Sequence, residues 1–339
     1  MLNPLPMPAF ANSRIVKPSL IIHGGAWNIP DEAVEDCRDG IRRALKAGWK
    51  ILSAGGPAID AVEAAIVILE DDPTFDAGIG SHLNRDGRVQ LDAIIMNGAT
   101  LKAGAVAAVE RIRNPIRLAR AVLEKSEHMM LVGAGAEKFA AENGIALCAP
   151  EDLVIDRERS AWGRCLEDSH AAEHHLDHEF GTVGAVALDK QNHLIAGTST
   201  GGTCCKFPGR VGDSPLIGCG CYADADSGGV SCTGHGEGIM KIVMAKMAAD
   251  LLATAENPAT KSDDCRWGIG WGPRSTIAAS AGGDAQSVAN ACVRKLAHRV
   301  HTTGGLILLD RNGNPAAAFN TSRMAYGFIN PDDSFTIAP

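Results

Sequence analysis

The chain of 339 residues carries 32 Lys and Arg against 40 Asp and Glu, a formal charge of −8. That balance excludes a nucleic-acid binder, because phosphate contacts need a basic face and none stands out. Hydrophobic residues at 45% and charged residues at 21% exclude a disordered chain. No apolar run is long enough to cross a bilayer. Met1–Arg14 lacks the basic start and apolar stretch of a signal peptide, so the expected location is cytoplasmic, with the ten cysteines reduced. The 38 glycines, without a collagen period, point to tight turns and close backbone approaches.

In chain order, the first 14 residues, with Pro4, Pro6 and Pro8, read as a loose arm. Ser19–Ile22 is a short buried strand running into a glycine turn at His23-Gly24-Gly25. Asp31–Ala54 carries Val34, Cys37, Ile41, Leu45 and Leu52 at helical spacing, with Asp31 as its cap. Pro57 opens a second helix with the stripe Ile59, Val62, Ile66 and Leu69. Strands follow at Val89–Met96 and Ala103–Val109, then a helix from Asn114-Pro115 through Leu123, a strand at Met129–Val132 and a helix at Ala136–Asn143. Residues 149–180, rich in charge and in His170, His174, His175 and His178, read as a linker of unusual length. Beyond it come strands at Thr182–Leu188, His193–Thr200 and Gly229–Thr233, a strong helix at Glu237–Ala253 and a polar stretch at 256–283. A helix at Ala285–Arg299 and a hairpin of Gly305–Asp310 with Pro315–Asn320 complete the chain. Strands bundled centrally between paired helices predict an α+β fold, a four-layer α-β-β-α sandwich in a single domain over 1–339.

Two pattern matches fail on context. Gly197-Thr-Ser199-Thr-Gly201 has the spacing of a nucleophile elbow, but Gly202, Pro208 and Gly209 forbid the helix required behind Ser199. Gly133-Ala-Gly135 lacks the third glycine of a dinucleotide fingerprint. Cys204-Cys205, Cys219, Cys221 and Cys232 lack the paired spacing of a structural zinc site and read as small buried hydrophobes.

Chemistry concentrates between 181 and 237. The segment contains Gly181-Thr-Val-Gly184, Thr198-Ser-Thr200-Gly-Gly202, Gly209-Arg210-Val-Gly-Asp213-Ser214 and Thr233-Gly234-His-Gly236-Glu237. Each threonine alone is an ordinary strand residue, and Arg210 with Asp213 an ordinary ion pair. Three glycine-flanked, threonine-bearing strands beside one Arg-x-x-Asp turn are not explained that way. Together with His23-Gly24-Gly25-Ala26, Phe75-Asp-Ala-Gly78-Ile-Gly80, Leu101-Lys-Ala-Gly104-Ala-Val106 and Arg113-Asn-Pro115, these blocks resemble the plant-type L-asparaginases and isoaspartyl peptidases of the N-terminal-nucleophile hydrolases.

The resemblance implies a precursor that cleaves itself between Gly181 and Thr182 into 1–181, ending in the linker 149–180, and 182–339. The released α-amine of Thr182, with a free pKa near 7.7–8.0, then serves as base for its own hydroxyl. It implies Thr200 hydrogen-bonding the nucleophile, Thr233 hydroxyl and Gly234 amide forming the oxyanion hole, and Arg210 holding the substrate α-carboxylate. Asp213 holds the α-ammonium, with the Gly234 and Gly236 backbone completing the clamp. The implied substrates are L-asparagine and β-aspartyl dipeptides, the implied assembly a homodimer of cleaved protomers, and no cofactor is required. The loop through Leu69, Glu70, Asp72, Phe75, Ala77 and Ile79 resembles the family's sodium loop, for which a rigid turn without metal is the alternative. Asp76 stands where the family usually has Asn, and 256–283, with Trp267 and Trp271, has no family counterpart. Glycosylasparaginase, the threonine-aspartase type and a non-cleaving homologue acting as a binding protein are the competing readings.

Overall fold

The computed structural model describes residues 17–167, 181–256 and 284–339. The amino-terminal arm, the histidines of 168–180 and nearly all of 256–283, Trp267 and Trp271 included, lie outside the described residues.

The strands are β1 Ser19–Trp27, β2 Leu91–Asn97, β3 Ala103–Val109, β4 Met130–Val132, β5 Val183–Leu188, β6 Leu194–Thr200, β7 Cys221–Asp224, β8 Gly228–Gly234, β9 Gly304–Asp310, β10 Pro315–Phe319, β11 Arg323–Ile329 and β12 Phe335–Ala338. An eight-stranded sheet runs β12-β11-β1-β5-β6-β2-β3-β4 and a four-stranded sheet β10-β9-β8-β7. The helices are α1 Val34–Ser53, α2 Ala58–Glu70, α3 Pro115–Lys125, α4 Gly133–Glu142, α5 Asp156–Glu167, α6 Gly236–Ile242, α7 Met244–Glu256 and α8 Ala285–Lys295.

Three apolar interfaces stack these elements. Ile41, Leu45 and Leu52 of α1 and Val62, Ile66 and Leu69 of α2 bury against the large sheet. Ile239 of α6, Met244 and Leu252 of α7, and Val288 and Cys292 of α8 bury against Val230, Leu306 and Leu308 of the small sheet. Between the sheets lie Ile21, Ile94, Val186, Leu194, Ile307 and Leu309. The order is helix, sheet, sheet, helix, as the sequence predicts, and burial of both faces explains why β5, β6 and β8 are buried throughout.

Several expectations change. His23-Gly24-Gly25 is no turn: β1 continues through it to Trp27, with a bulge between His23 and Ala26. Asp31 does not cap α1, because its carboxylate pairs with Arg323 and a short 3-10 turn, Asp31–Ala33, precedes the helix. The helix expected over Glu237–Ala253 breaks at Val243, which is left-handed at φ 49°. There the amides of Ala245 and Lys246 donate to the carbonyls of Cys219 and Gly218, so a distant loop takes bonds a continuous helix would use. Strands β7, β11 and β12 stand where the sequence analysis places none. β11 extends the large sheet, pairing antiparallel with β1 on one side and with β12 on the other.

The expected linker 149–180 is structured in its described part. Pro150–Leu153 forms a 3-10 turn with Leu153 fully buried, and α5 follows. Its contacts explain the docking: Glu158, buried, accepts from His82 at 2.6 Å, and Arg157 donates to the Gly80 carbonyl at 3.4 Å. The expectation of uniformly reduced thiols also fails, because Cys165 of α5 is disulfide-bonded to Cys205. Only the fold brings these two together across 40 residues of sequence.

Candidate active site

Register across the large sheet builds the site. His23 lies opposite Gly184, Gly184 opposite Thr198 and Val183 opposite Ser199. Side chains alternate along strands, so Thr182, Thr198 and Thr200 share the face that meets the small sheet. Ser199 faces the other way, where its hydroxyl donates to Glu70 at 2.7 Å. That orientation, with no helix behind it, removes Ser199 as a nucleophile.

Thr182 sits at the head of β5 and is 6% exposed. Its hydroxyl donates to the Thr200 hydroxyl at 3.2 Å, and Thr200 Oγ accepts the Gly202 amide at 3.0 Å. Beneath this pair, His23 Nε2 lies 2.9 Å from Ser231 Oγ, which lies 2.7 Å from Thr198 Oγ. Burial pushes the His23 pKa down to about 3, against the raising effect of the Thr182 backbone, so the ring is neutral.

Thr182, Thr200, Arg210, Asp213 and Gly234 line one narrow cleft, with Gly202, Thr203, Gly212 and Ser214. Arg210 is held on one edge: Nε donates to Glu237 at 2.9 Å and Nη2 at 2.7 Å. Asp213 is 4% exposed, and its Oδ2 has no hydrogen-bond partner among the described residues. Burial pushes its pKa up to about 7, with nearby Arg210 opposing. A Cβ on Gly236 would lie 2.8 Å from Asp213 Oδ1 and 3.0 Å from Arg210 Nη2, so a side chain there would collide with both heads of the clamp.

Two expected site residues stand further back. Thr233 is fully buried on β8, and its Oγ accepts the Ala26 amide of β1 at 3.2 Å, leaving its proton to donate. Gly236 backs the clamp without lining the cleft. Gly181, the residue before Thr182, packs on Asp76, to whose Cβ a Cβ of its own would come within 2.9 Å. Asp76 Oδ1 accepts the His82 amide at 2.9 Å, and its carbonyl accepts the Gly201 amide at 3.0 Å. Burial pushes its carboxyl up to about 6, opposed by His82 and Lys206.

Lys206 and Glu237 are the residues that sequence reasoning missed. Lys206, 4% exposed, donates to the carbonyls of Gln90 at 2.6 Å and Gly201 at 2.9 Å; a lone lysine in Cys-Cys-Lys-Phe carried no signal. Glu237 did stand in the Thr-Gly-His-Gly-Glu block, beside no stated role.

The loop at Leu69–Ile79 closes on itself. Amides of Asp72, Phe75 and Ile79 donate to the carbonyls of Leu69, Asp72 and Glu70 at 3.3, 3.1 and 2.9 Å. The Glu70 carboxylate turns inward to Ser199 and the Ile116 amide, and burial pushes it up to about 8. The Asp72 carboxylate takes Arg43 and the Thr74 amide. Glu70 Oε1 and both Asp72 oxygens are thus occupied within the protein. Glu70 Oε2 has no hydrogen-bond partner among the described residues, and the loop's other oxygens for a cation are backbone carbonyls, suited to hard ions.

The layered α-β-β-α architecture is that of the N-terminal-nucleophile hydrolases. The asparaginase family profile matches residues 16–264, and the chain belongs to that family. It is 42% identical over 312 residues to the isoaspartyl peptidase/L-asparaginase of Bos taurus, covering 92% of each chain. It is 39% identical over 330 residues to the Homo sapiens protein of the same name, covering 94% of this chain and 98% of that one. With the plant-type L-asparaginase of Pyrococcus abyssi it shares 40% identity over 326 residues, 92% and 96% of the two chains.

Proposed function

We propose that the chain cleaves itself between Gly181 and Thr182 and then hydrolyses the side-chain amide of L-asparagine and of β-aspartyl dipeptides. The observation that carries this reading is the Thr182–Thr200 hydroxyl pair opening into a cleft that also presents Arg210 and Asp213. A guanidinium and a carboxylate on one wall match the carboxylate and ammonium of a free amino acid.

In the precursor, Thr182 Oγ attacks the Gly181 carbonyl carbon, and the peptide becomes an ester that water hydrolyses. The freed Thr182 amine then accepts the proton of its own hydroxyl as Oγ attacks the substrate amide carbon. The Gly234 amide and Thr233 hydroxyl stabilise the oxyanion, each such donor being worth about 10²–10³ in kcat. Ammonia, or an amino acid, leaves with the proton. Water then hydrolyses the β-aspartyl ester and the amine again takes a proton. These groups supply every proton and charge of the cycle, so the reaction requires no cofactor.

Intact mass spectrometry of incubated protein is expected to find fragments 1–181 and 182–339, with Thr182→Ala remaining whole. A wild-type chain that stays intact while hydrolysing asparagine overturns the mechanism.

The reading extends to a homodimer of cleaved protomers in the cytoplasm, testable by sedimentation and fractionation. No helix among the described residues is long and apolar enough to cross a membrane. It extends also to a structural sodium ion on the carbonyls of the Leu69–Ile79 loop. Replacing sodium by choline in the buffer lowers the melting temperature if that ion is held, and leaves it unchanged if the loop is self-sufficient.

A further inference from the structure

Three sulfurs converge beside the cleft. Cys165, near the end of α5, is bonded to Cys205 with a Cα–Cα distance of 6.4 Å. Cys204 Sγ lies within 4.8 Å of both. Consecutive residues in an extended chain point to opposite sides. Here Cys205 adopts the left-handed region at φ 54°, and its sulfur meets that of Cys204. Cys205 is fixed by its amide on the Leu83 carbonyl at 2.8 Å. It lies on the same loop as the cleft residues Gly202, Thr203 and Arg210.

The scissile bond falls between the two bonded cysteines in sequence. Once Gly181–Thr182 is cut, Cys165 belongs to 1–181 and Cys205 to 182–339. We propose that the Cys165–Cys205 disulfide becomes a redox-sensitive covalent link between the two fragments of the matured protein, tying α5 to the substrate loop. The proposal rests on the self-cleavage stated above. The other anchors of α5 described here are non-covalent: Glu158 on His82 and Trp162 packed at 3.1 Å from the position of a Cβ on Gly87. All three anchors bear on the 76–90 loop or on Cys205, so α5 braces the segment that holds Asp76 against Gly181.

The chemistry balances with a low-molecular-weight disulfide as oxidant. One cysteine thiolate attacks a sulfur of that disulfide and releases one thiol; the second cysteine displaces the other, so one S–S bond forms and one breaks. Two protons leave on the two released thiols. A dithiol reductant reverses the reaction, and Cys165 and Cys204, both only partly buried, give it access. Cys204 adds an exchange without net oxidation: its thiolate displaces Cys205 from Cys165, forming Cys165–Cys204 and freeing the Cys205 thiolate.

Tryptic mapping of the matured, N-ethylmaleimide-blocked protein tests both cleavage and link in one measurement. Trypsin cuts after Arg164, Lys190 and Lys206, so the expected species is peptide 165–181 joined to peptide 191–206 and separated by dithiothreitol. On a denaturing gel the fragments are expected to migrate together without reductant and apart with it. Cys165→Ser is expected to separate them in both lanes while cleavage proceeds. In Cys204→Ser the linked pair is expected to persist, placing the bond on Cys205. Peptide 165–181 alkylated and unpartnered in unreduced wild type overturns the link while leaving self-cleavage standing. Peptide 165–190 joined to 191–206 instead reports the disulfide without cleavage, and overturns both the self-cleavage and the link between fragments.

Discussion

Replacing Asp76 by Asn removes the carboxyl of a side chain packed against Gly181 and Gly201. Asp76 is 5% exposed, and burial raises its pKa from 3.8 to about 6. The native state therefore holds a proton that the unfolded chain has already released between pH 4 and 6. Stability falls as pH rises through that window, because the folded form then binds more protons than the unfolded one. The full penalty, reached above pH 6, is about 3 kcal/mol. Asparagine keeps an acceptor for the His82 amide, which donates to Oδ1 at 2.9 Å, and cannot ionise. Asp76→Asn is thus expected to gain about 2–3 kcal/mol over the wild type on going from pH 4 to pH 8. Urea unfolding at those two pH values measures it, in a Thr182→Ala background so that one unbroken chain unfolds. An ionised Asp76 near the Thr182 amine also favours the ammonium form. The variant's acid limb of kcat/KM is accordingly expected to move to lower pH. A variant whose stability runs parallel to wild type across that range, with an unchanged rate profile, refutes the buried, ionising Asp76 described here.

Three further predictions concern the clamp. Asp213, pushed up to about 7 by burial, must be ionised to hold an ammonium, so KM for asparagine is expected to rise about tenfold per pH unit below 7. N-acetylated β-aspartyl peptides are expected to react 10²–10³-fold more slowly than free ones, since a charge left unpaired costs about 3–5 kcal/mol; Asp213→Ala narrows that gap. Comparable turnover of both peptides by wild type removes the clamp. Glu237 holds the Nε–Nη2 edge of Arg210 and leaves Nη1 toward the cleft residues Gly202 and Gly212. Glu237→Gln is expected to raise KM about tenfold with a smaller effect on kcat, in line with the loss of one charge-assisted pair of about 1.5 kcal/mol, and an unchanged KM refutes its positioning role.

The asymmetry between Thr198 and Ser199 indicates how much of this site a linear reading captures. Alternation alone puts Thr198 and Thr200 on one face of β6 and Ser199 on the other, and the hydrogen bonds of Ser199 to Glu70 and Thr200 to Gly202 follow it. The same reading could not say which face meets the small sheet. That depends on burial of both faces, a condition under which apolar residues stop alternating, as they do throughout β5 and β6. Glu237 and Lys206 became visible only through contacts made in the fold, with Arg210 and with the Gln90 carbonyl.

By itself the sequence determined the layered α+β plan, most helices and strands, and the threonine, arginine and aspartate that meet in the cleft. The layered plan rests on apolar period and glycine placement, whereas the site residues were singled out by the resemblance of short ordered blocks to the asparaginase family. Tertiary structure alone decided the long-range pairings. It extended the large sheet with β11 and β12, broke the helix at Val243 by capturing its amides on Gly218 and Cys219, and docked α5 beside the cleft. It also joined Cys165 to Cys205 and set Asp76 against Gly181. The physical reason is common to all of these. Each is a bond or contact between groups remote in the chain, whose energy depends on burial and distance, and neither quantity exists until the layers have packed.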